Sequence, residues 1–235
     1  MRGSALITGA ATRIGKEMAL ALASQGVNVG VHYSTSKSEA EEVSNKAAEM
    51  NVKSFAFKAD LLIHQDVEGL LSKVSEKFQQ PVNILVNNAS IFEYDNIDTV
   101  TEESWDRHIG SNLKAPLFLT KAFAKQVERA VKDERGELVA NANVINIIDQ
   151  RVLKTTPEFL TYSLAKMGLW SFTKMAAQAL SPHVRVNAIA PGPTLKGHRQ
   201  SDSHFSKQRR STILERGSNI SEMVNALKFI LMTPS

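Results

Sequence analysis

The chain has 235 residues, 43% hydrophobic and 22% charged, with no cysteine, which suits a globular protein and excludes disulfide and thiolate chemistry. Its net charge of +4 is mild and could favour a phosphate-bearing ligand, but no basic block interleaves with aromatics as nucleic-acid binding would require. No apolar run approaches a membrane span, the first residues carry no secretory signal pattern, and no metal-ligand set is expected.

The apolar run "ALIT" around Ala5 predicts a first strand, and "TGAATRIGKEMA" follows it at 8–19. A tight turn opening onto a helix N-terminus would offer N–H groups and positive dipole to a pyrophosphate. Gly9 and Gly15 give backbone room, while Arg13 stands where many dinucleotide sites carry a middle glycine. A plain strand–helix turn is the competing reading. Ile14, Met18, Ala21 and Leu22 share one helical face, and Gly26 marks its end. The second strand, 27–33, runs into His32-Tyr33-Ser34. No acidic residue lies between the end of that strand and Glu39, so nothing there repels a ribose 2′-phosphate. Ser34, Ser36 and Lys37 could instead donate to it, which favours NADP(H) over NAD(H).

A third strand, 54–60, closes on Asp60, placed either to accept from an adenine amine or to stabilise a turn. The fourth, "NILVNNAS" at 83–90, precedes a long helix-rich stretch at 101–129. The fifth, "NVINIID" at 143–149, ends in a carboxylate, Asp149. A second helix-rich stretch, 161–180, opens with Tyr162 and Lys166 one helical turn apart, and a sixth strand, "VRVNAIAPG", spans 184–192. Strands alternating with helices imply βαβ units and a parallel sheet, and with no linker or repeat the whole of 1–235 reads as one domain. The polar, basic segment 196–218 follows a Pro-Gly-Pro turn. It is either a solvated loop or a mobile flap over a ligand, since it leaves the strand edge where open α/β sheets bind.

With "TGAATRIG", "LVNNAS", Tyr162-Ser163-Leu164-Ala165-Lys166 and "RVNAIAPG", nearly the whole chain resembles the short-chain dehydrogenase/reductase family. The resemblance implies an α/β fold: a single-domain doubly wound parallel sheet, the Rossmann fold, with helices on both faces. It also implies a cytoplasmic oxidoreductase, a homotetramer, and NADPH as cofactor. The cofactor would lie along the turn of Gly9, Arg13, Ile14 and Gly15, with His32, Tyr33, Ser34 and Ser36 beyond it. Asp60 and Leu61, Asn88 and Ala89, and Pro191, Gly192 and Thr194 would complete its surroundings, with Tyr162 and Lys166 at the reacting end. Asn112 matches the helix asparagine that completes the family's active-site network through water.

Arg13, the His-Tyr after the second strand, "NNAS", Phe92 and Asp149 are similar to the pteridine reductase branch, which includes dihydromonapterin reductases. That likeness implies a pterin-like small molecule contacted by Arg13, Ser90, Phe92, Asp149 and Tyr162. Thr35 stands where the branch often has arginine, and its Gly-rich last strand is not visible.

The chemistry is concordant. Hydride transfer leaves negative charge on the acceptor, so an acid must deliver a proton nearby. Tyr162 is the expected acid, and the Lys166 ammonium would lower its pKa. Asp149 separates the substrate readings. An ionised carboxylate would repel the oxyanion of a ketone substrate. A pterin instead presents a ring C=N bond and amine donors, which a carboxyl can serve. A carbonyl or 3-oxoacyl thioester reductase and a non-catalytic dinucleotide sensor are the alternatives.

Overall fold

The computed structural model describes residues 3–197 and 200–234. Six strands form one parallel sheet: β1 (Ser4–Ile7), β2 (Asn28–Tyr33), β3 (Ser54–Lys58), β4 (Ile84–Asn87), β7 (Ala142–Ile147) and β8 (Val184–Ile189), in the order β3-β2-β1-β4-β7-β8. A hairpin absent from the sequence reading, β5 (Val131–Lys132) with β6 (Leu138–Val139), precedes β7.

The strands are apolar along their length because helices cover both faces. On β1, Ala5 and Ile7 join one core with helices α1 (Arg13–Ala23), α2 (Lys37–Ala48) and α8 (Ile220–Met232). Leu6, between them, points into the other core with α3 (His64–Phe78), α5 (Ala115–Gln126) and α6 (Leu160–Leu180). This is the doubly wound Rossmann arrangement. The chain leaves β1 toward β2 on one side and returns as β4 on the other, which opens a crevice at the strands' C-terminal ends.

Three local features sharpen the sequence reading. The stretch 101–129 is not one helix: α4 (Glu102–Ile109) passes through a π-helical turn, Gly110–Lys114, into α5. The segment 196–218, read as loop or flap, contains a helix, α7 (Asp202–Arg210), started by the Ser201 hydroxyl accepting from the His204 amide. His198 and Arg199 of that segment lie outside the described residues. Beyond it no seventh strand joins the sheet among the described residues. The chain forms α8 instead, whose Leu227, Met223 and Ala226 pack into the α1 side of the core.

Candidate active site

The turn after β1 is shaped by close packing. Gly9 has φ +61°, and a Cβ there would meet the Ala89 Cα at 2.9 Å. A Cβ on Gly15 would fall 2.3 Å from the Gly9 carbonyl oxygen. Arg13 takes a left-handed φ of 56°, which explains why glycine is common at this place in such turns. Its guanidinium donates to the carbonyls of Lys196 at 2.9 Å and Leu195 at 3.3 Å, so it clasps the start of the 196–218 segment. Helix α1, entered through half-buried Ile14, has no side-chain cap and no acidic residue in its first turn. Its N-terminal N–H groups and positive dipole are therefore unneutralised, which fits an anionic diphosphate.

Other residues expected to hold a dinucleotide take differing positions. His32 and Tyr33 are buried, and His32 acts as a bolt. Its Nδ1 accepts from the Gly9 amide at 2.9 Å, so its Nε2 carries the proton given to the Ala59 carbonyl at 3.1 Å. Burial lowers its pKa to about 4, which keeps the ring neutral. Ser34 is exposed and Ser36 half-buried. Asp60 accepts from the Leu62 amide at 3.0 Å, ordering the turn that buries Leu61. The Asn88 side chain donates to the carbonyls of Thr8 and Gly9, while the Thr8 hydroxyl accepts from the amides of Asn88 and Ala89. Pro191 and Gly192 are half-buried beside Asp149, with the Pro191 carbonyl taking the Gln150 amide. Thr194 is buried, its hydroxyl bonded to the Gly192 carbonyl and the Ser218 hydroxyl.

Tyr162 and Lys166 share the inner face of α6, and Asp149 follows β7. The Tyr162 hydroxyl donates to Asp149 Oδ2 at 2.8 Å, while Asp149 Oδ1 accepts from the Arg151 amide at 2.8 Å. The Lys166 ammonium, on a residue only 2% exposed, donates to the Ile147 carbonyl at 2.8 Å. No other hydrogen bond to it occurs among the described residues, so two donors are left for a ligand's hydroxyls, which fits a ribose.

The expected lowering of the phenol pKa is reversed. Burial, then the negative charge of Asp149 and the hydrogen bond to it, hold Tyr162 well above the usual tyrosine value, although Arg151 and Ser90 oppose them. Burial also pulls Lys166 down to about 8, against the pull of Asp149. Burial first, and the nearby carboxyl second, keep Tyr162 protonated at neutral pH.

Phe92 is 50% exposed and meets Tyr162 edge-on, with ring centroids 4.7 Å apart. It also stacks on Phe159, at 4.4 Å and 6°, a partner the sequence reading missed. Phe159 is held at φ 56° just before α6, with the Arg151 guanidinium 4.8 Å over its ring. Ser90 is exposed beside them. Asn112 lies in the π-helical turn and is fully buried. Its side chain accepts from the Ile91 amide at 2.9 Å and donates to the Ile91 carbonyl at 2.8 Å. It thereby fixes the loop between Ser90 and Phe92. The structure thus brings Asp149, Tyr162, Ser90 and Phe92 together, while Arg13 faces the 195–196 carbonyls.

The short chain dehydrogenase family model matches residues 4–207. Among solved structures, the chain is similar to FolM alternative dihydrofolate reductase 1 from Brucella suis, determined in complex with NADP. That likeness has a TM-score of 0.89 and 37% identity, covering 98% of this chain and 89% of that one. It is also similar to the promiscuous reductase LugOII of lugdunomycin biosynthesis, a keto-reducing enzyme, at a TM-score of 0.84 and 28% identity, over 97% and 90% of the two chains. Among curated proteins, the 3-oxoacyl-(acyl-carrier-protein) reductase FabG of Staphylococcus epidermidis is 32% identical over 193 residues, 82% of this chain and 75% of that protein. With its parallel sheet, glycine turn and Tyr–Lys pair, this chain belongs to the short-chain dehydrogenase/reductase family.

Proposed function

We propose that the protein is an NADPH-dependent reductase of a dihydropterin-type substrate. The reading includes a single domain over 1–235 with 196–218 as the substrate flap, and a cytoplasmic homotetramer; these last features rest on family resemblance. Among the described residues, no helix is long and apolar enough to cross a membrane. The observation that carries the substrate reading is the Tyr162 hydroxyl donating to Asp149 at 2.8 Å beside the exposed Phe92 ring. FolM alternative dihydrofolate reductase 1, at 37% identity, supports it, and its bound NADP supports the cofactor.

When bound, NADPH supplies a hydride to a carbon of the ring C=N bond. The α1 N-terminus, Ser34 and Ser36 would hold its phosphates, and Lys166 its ribose. Tyr162 delivers the proton to the adjacent ring nitrogen. Asp149, itself fixed by the Arg151 amide, orients the phenol and, being half-buried, links it to solvent for reprotonation. Phe92 supplies an apolar face for a flat heteroaromatic ring.

The likeness to FabG and LugOII favours a second reading, reduction of a ketone or 3-oxoacyl thioester. Replacing Asp149 separates the two. Asp149→Ser should lower dihydropterin turnover about 100-fold or more with NADPH affinity unchanged, because proton delivery is worth that order. Undiminished pterin turnover in that variant, or a gain in ketone reduction over a wild type inactive on pterins, overturns the proposal.

A further inference from the structure

Helix α6, which carries Tyr162 and Lys166, begins without a cap of its own. Phe159, at the N-cap position, is left-handed and supplies no side-chain acceptor, and the first turn holds no acidic residue. The cap comes from a distant loop. Asp95, 66 residues earlier and only 1% exposed, accepts from the Thr161 amide through Oδ1 at 3.2 Å. Its backbone carbonyl takes the Leu160 amide at 3.3 Å, and its Oδ2 accepts from the Thr161 hydroxyl.

The direction of the remaining bonds is fixed. The Glu93 amide donates to His108 Nε2 at 3.1 Å, so the ring proton is on Nδ1, which faces the Thr161 hydroxyl oxygen at 2.6 Å. Thr161 therefore accepts from His108 and must donate to Asp95. Ser104 Oγ adds a contact to Asp95 Oδ2 at 3.1 Å, and Arg107 holds Glu93 through two bonds at 2.9 and 3.1 Å. His108, fully buried, sets its ring edge-on to Tyr162 at 6.1 Å, the same T-shaped geometry as the contact from Phe92. Burial opposes ionisation of Asp95, but the bonds from Thr161 and Ser104 outweigh it and hold its carboxyl below the ordinary value. Burial lowers the His108 pKa, so the pair is a carboxylate and a neutral imidazole.

We propose that Asp95, acting through Thr161 and His108, is the positioning residue that fixes Tyr162 relative to the substrate loop. One chain of hydrogen bonds ties the Glu93 amide, next to Phe92, to the residue preceding Tyr162. Neither end can shift without breaking a bond to the buried His108 side chain. Asp95 touches neither reacting atoms nor cofactor. Its effect belongs to geometry, where an error of about 1 Å costs on the order of 100-fold in rate.

The proposal rests on Tyr162 as the proton donor but on neither choice of substrate, so the assay uses whichever of dihydropterin or ketone the wild type reduces. A wrong substrate reading shows in the wild type; a wrong positioning role shows only in the variants. Asp95→Asn and Thr161→Val should each lower kcat about 10-fold or more, with KM and the NADPH dissociation constant, read by nucleotide fluorescence, within about threefold of wild type. Thr161→Ser keeps the hydroxyl and should retain kcat within about twofold, while the double variant should be no slower than the slower single one within about threefold. The proposal is overturned if the variants lose thermal stability but keep kcat. It is also overturned if Thr161→Ser is as slow as Thr161→Val, or if the single effects multiply in the double variant.

Discussion

His32 buries a neutral imidazole between the Gly9 amide and the Ala59 carbonyl, and this makes the cofactor turn sensitive to acid. Its pKa of about 4 in the fold lies below the ordinary 6.5, so folding favours the neutral form. The corresponding stability is fully present above pH 6.5 and is lost as pH falls toward 4, on the order of 3 kcal/mol by linkage. Unfolding free energy measured in urea should therefore fall steeply between these limits. It should fall less steeply in His32→Gln; equal slopes would refute the assignment. At this scale the sequence was informative where spacing is local. Tyr162 and Lys166 are one turn apart, and Gly9 and Gly15 bracket one turn. Phe159 and Asp95 were not legible, because their partners lie across the fold and no short pattern marks them. Asp149 was visible, but the raised pKa of Tyr162 comes first from burial, which only the fold supplies, and then from Asp149.

Among the elements, the strands were readable because parallel sheets covered on both faces need continuous apolar runs. The π-helical turn at Gly110–Lys114 and the α7 helix were not. The first interrupts a helical pattern without changing its composition, and the second is polar apart from Phe205, with no buried residue to impose a period. What holds the α7 region is a charge-assisted knot rather than a core. The Arg209 guanidinium donates to the carbonyls of Pro193, Gly217 and Ser218 at 2.9–3.0 Å, while Arg13 clasps Leu195 and Lys196. Removing Arg209 leaves three carbonyls without that donor. Arg209→Ala should speed chymotryptic cleavage after Phe205 or Leu214 by about 10-fold or more, the effect of one charged hydrogen bond on local opening. Unchanged cleavage would mean that this segment is held by other contacts.

For the whole molecule, the order β3-β2-β1-β4-β7-β8 places every candidate site group at one edge of the sheet, at the crevice between β1 and β4 or beside it. Segment 196–218, which follows β8 on that edge, has a net charge of +4 in its sequence, six Lys/Arg against two Asp/Glu, equal to the charge of the entire chain. The rest of the chain is balanced, so the field favours anionic ligands on this side. Fold and family were legible in the sequence because motif order and spacing are global. Substrate choice was less so, since it depends on how Asp149, Phe92 and Ser90 converge. The most direct test is NADPH oxidation by the wild type with dihydrobiopterin, dihydromonapterin, dihydrofolate and a β-keto thioester in parallel. At least one dihydropterin should be reduced with kcat/KM about 100-fold or more above the thioester, the discrimination expected of a site built to hydrogen-bond its substrate. Reduction of the thioester alone would contradict the account.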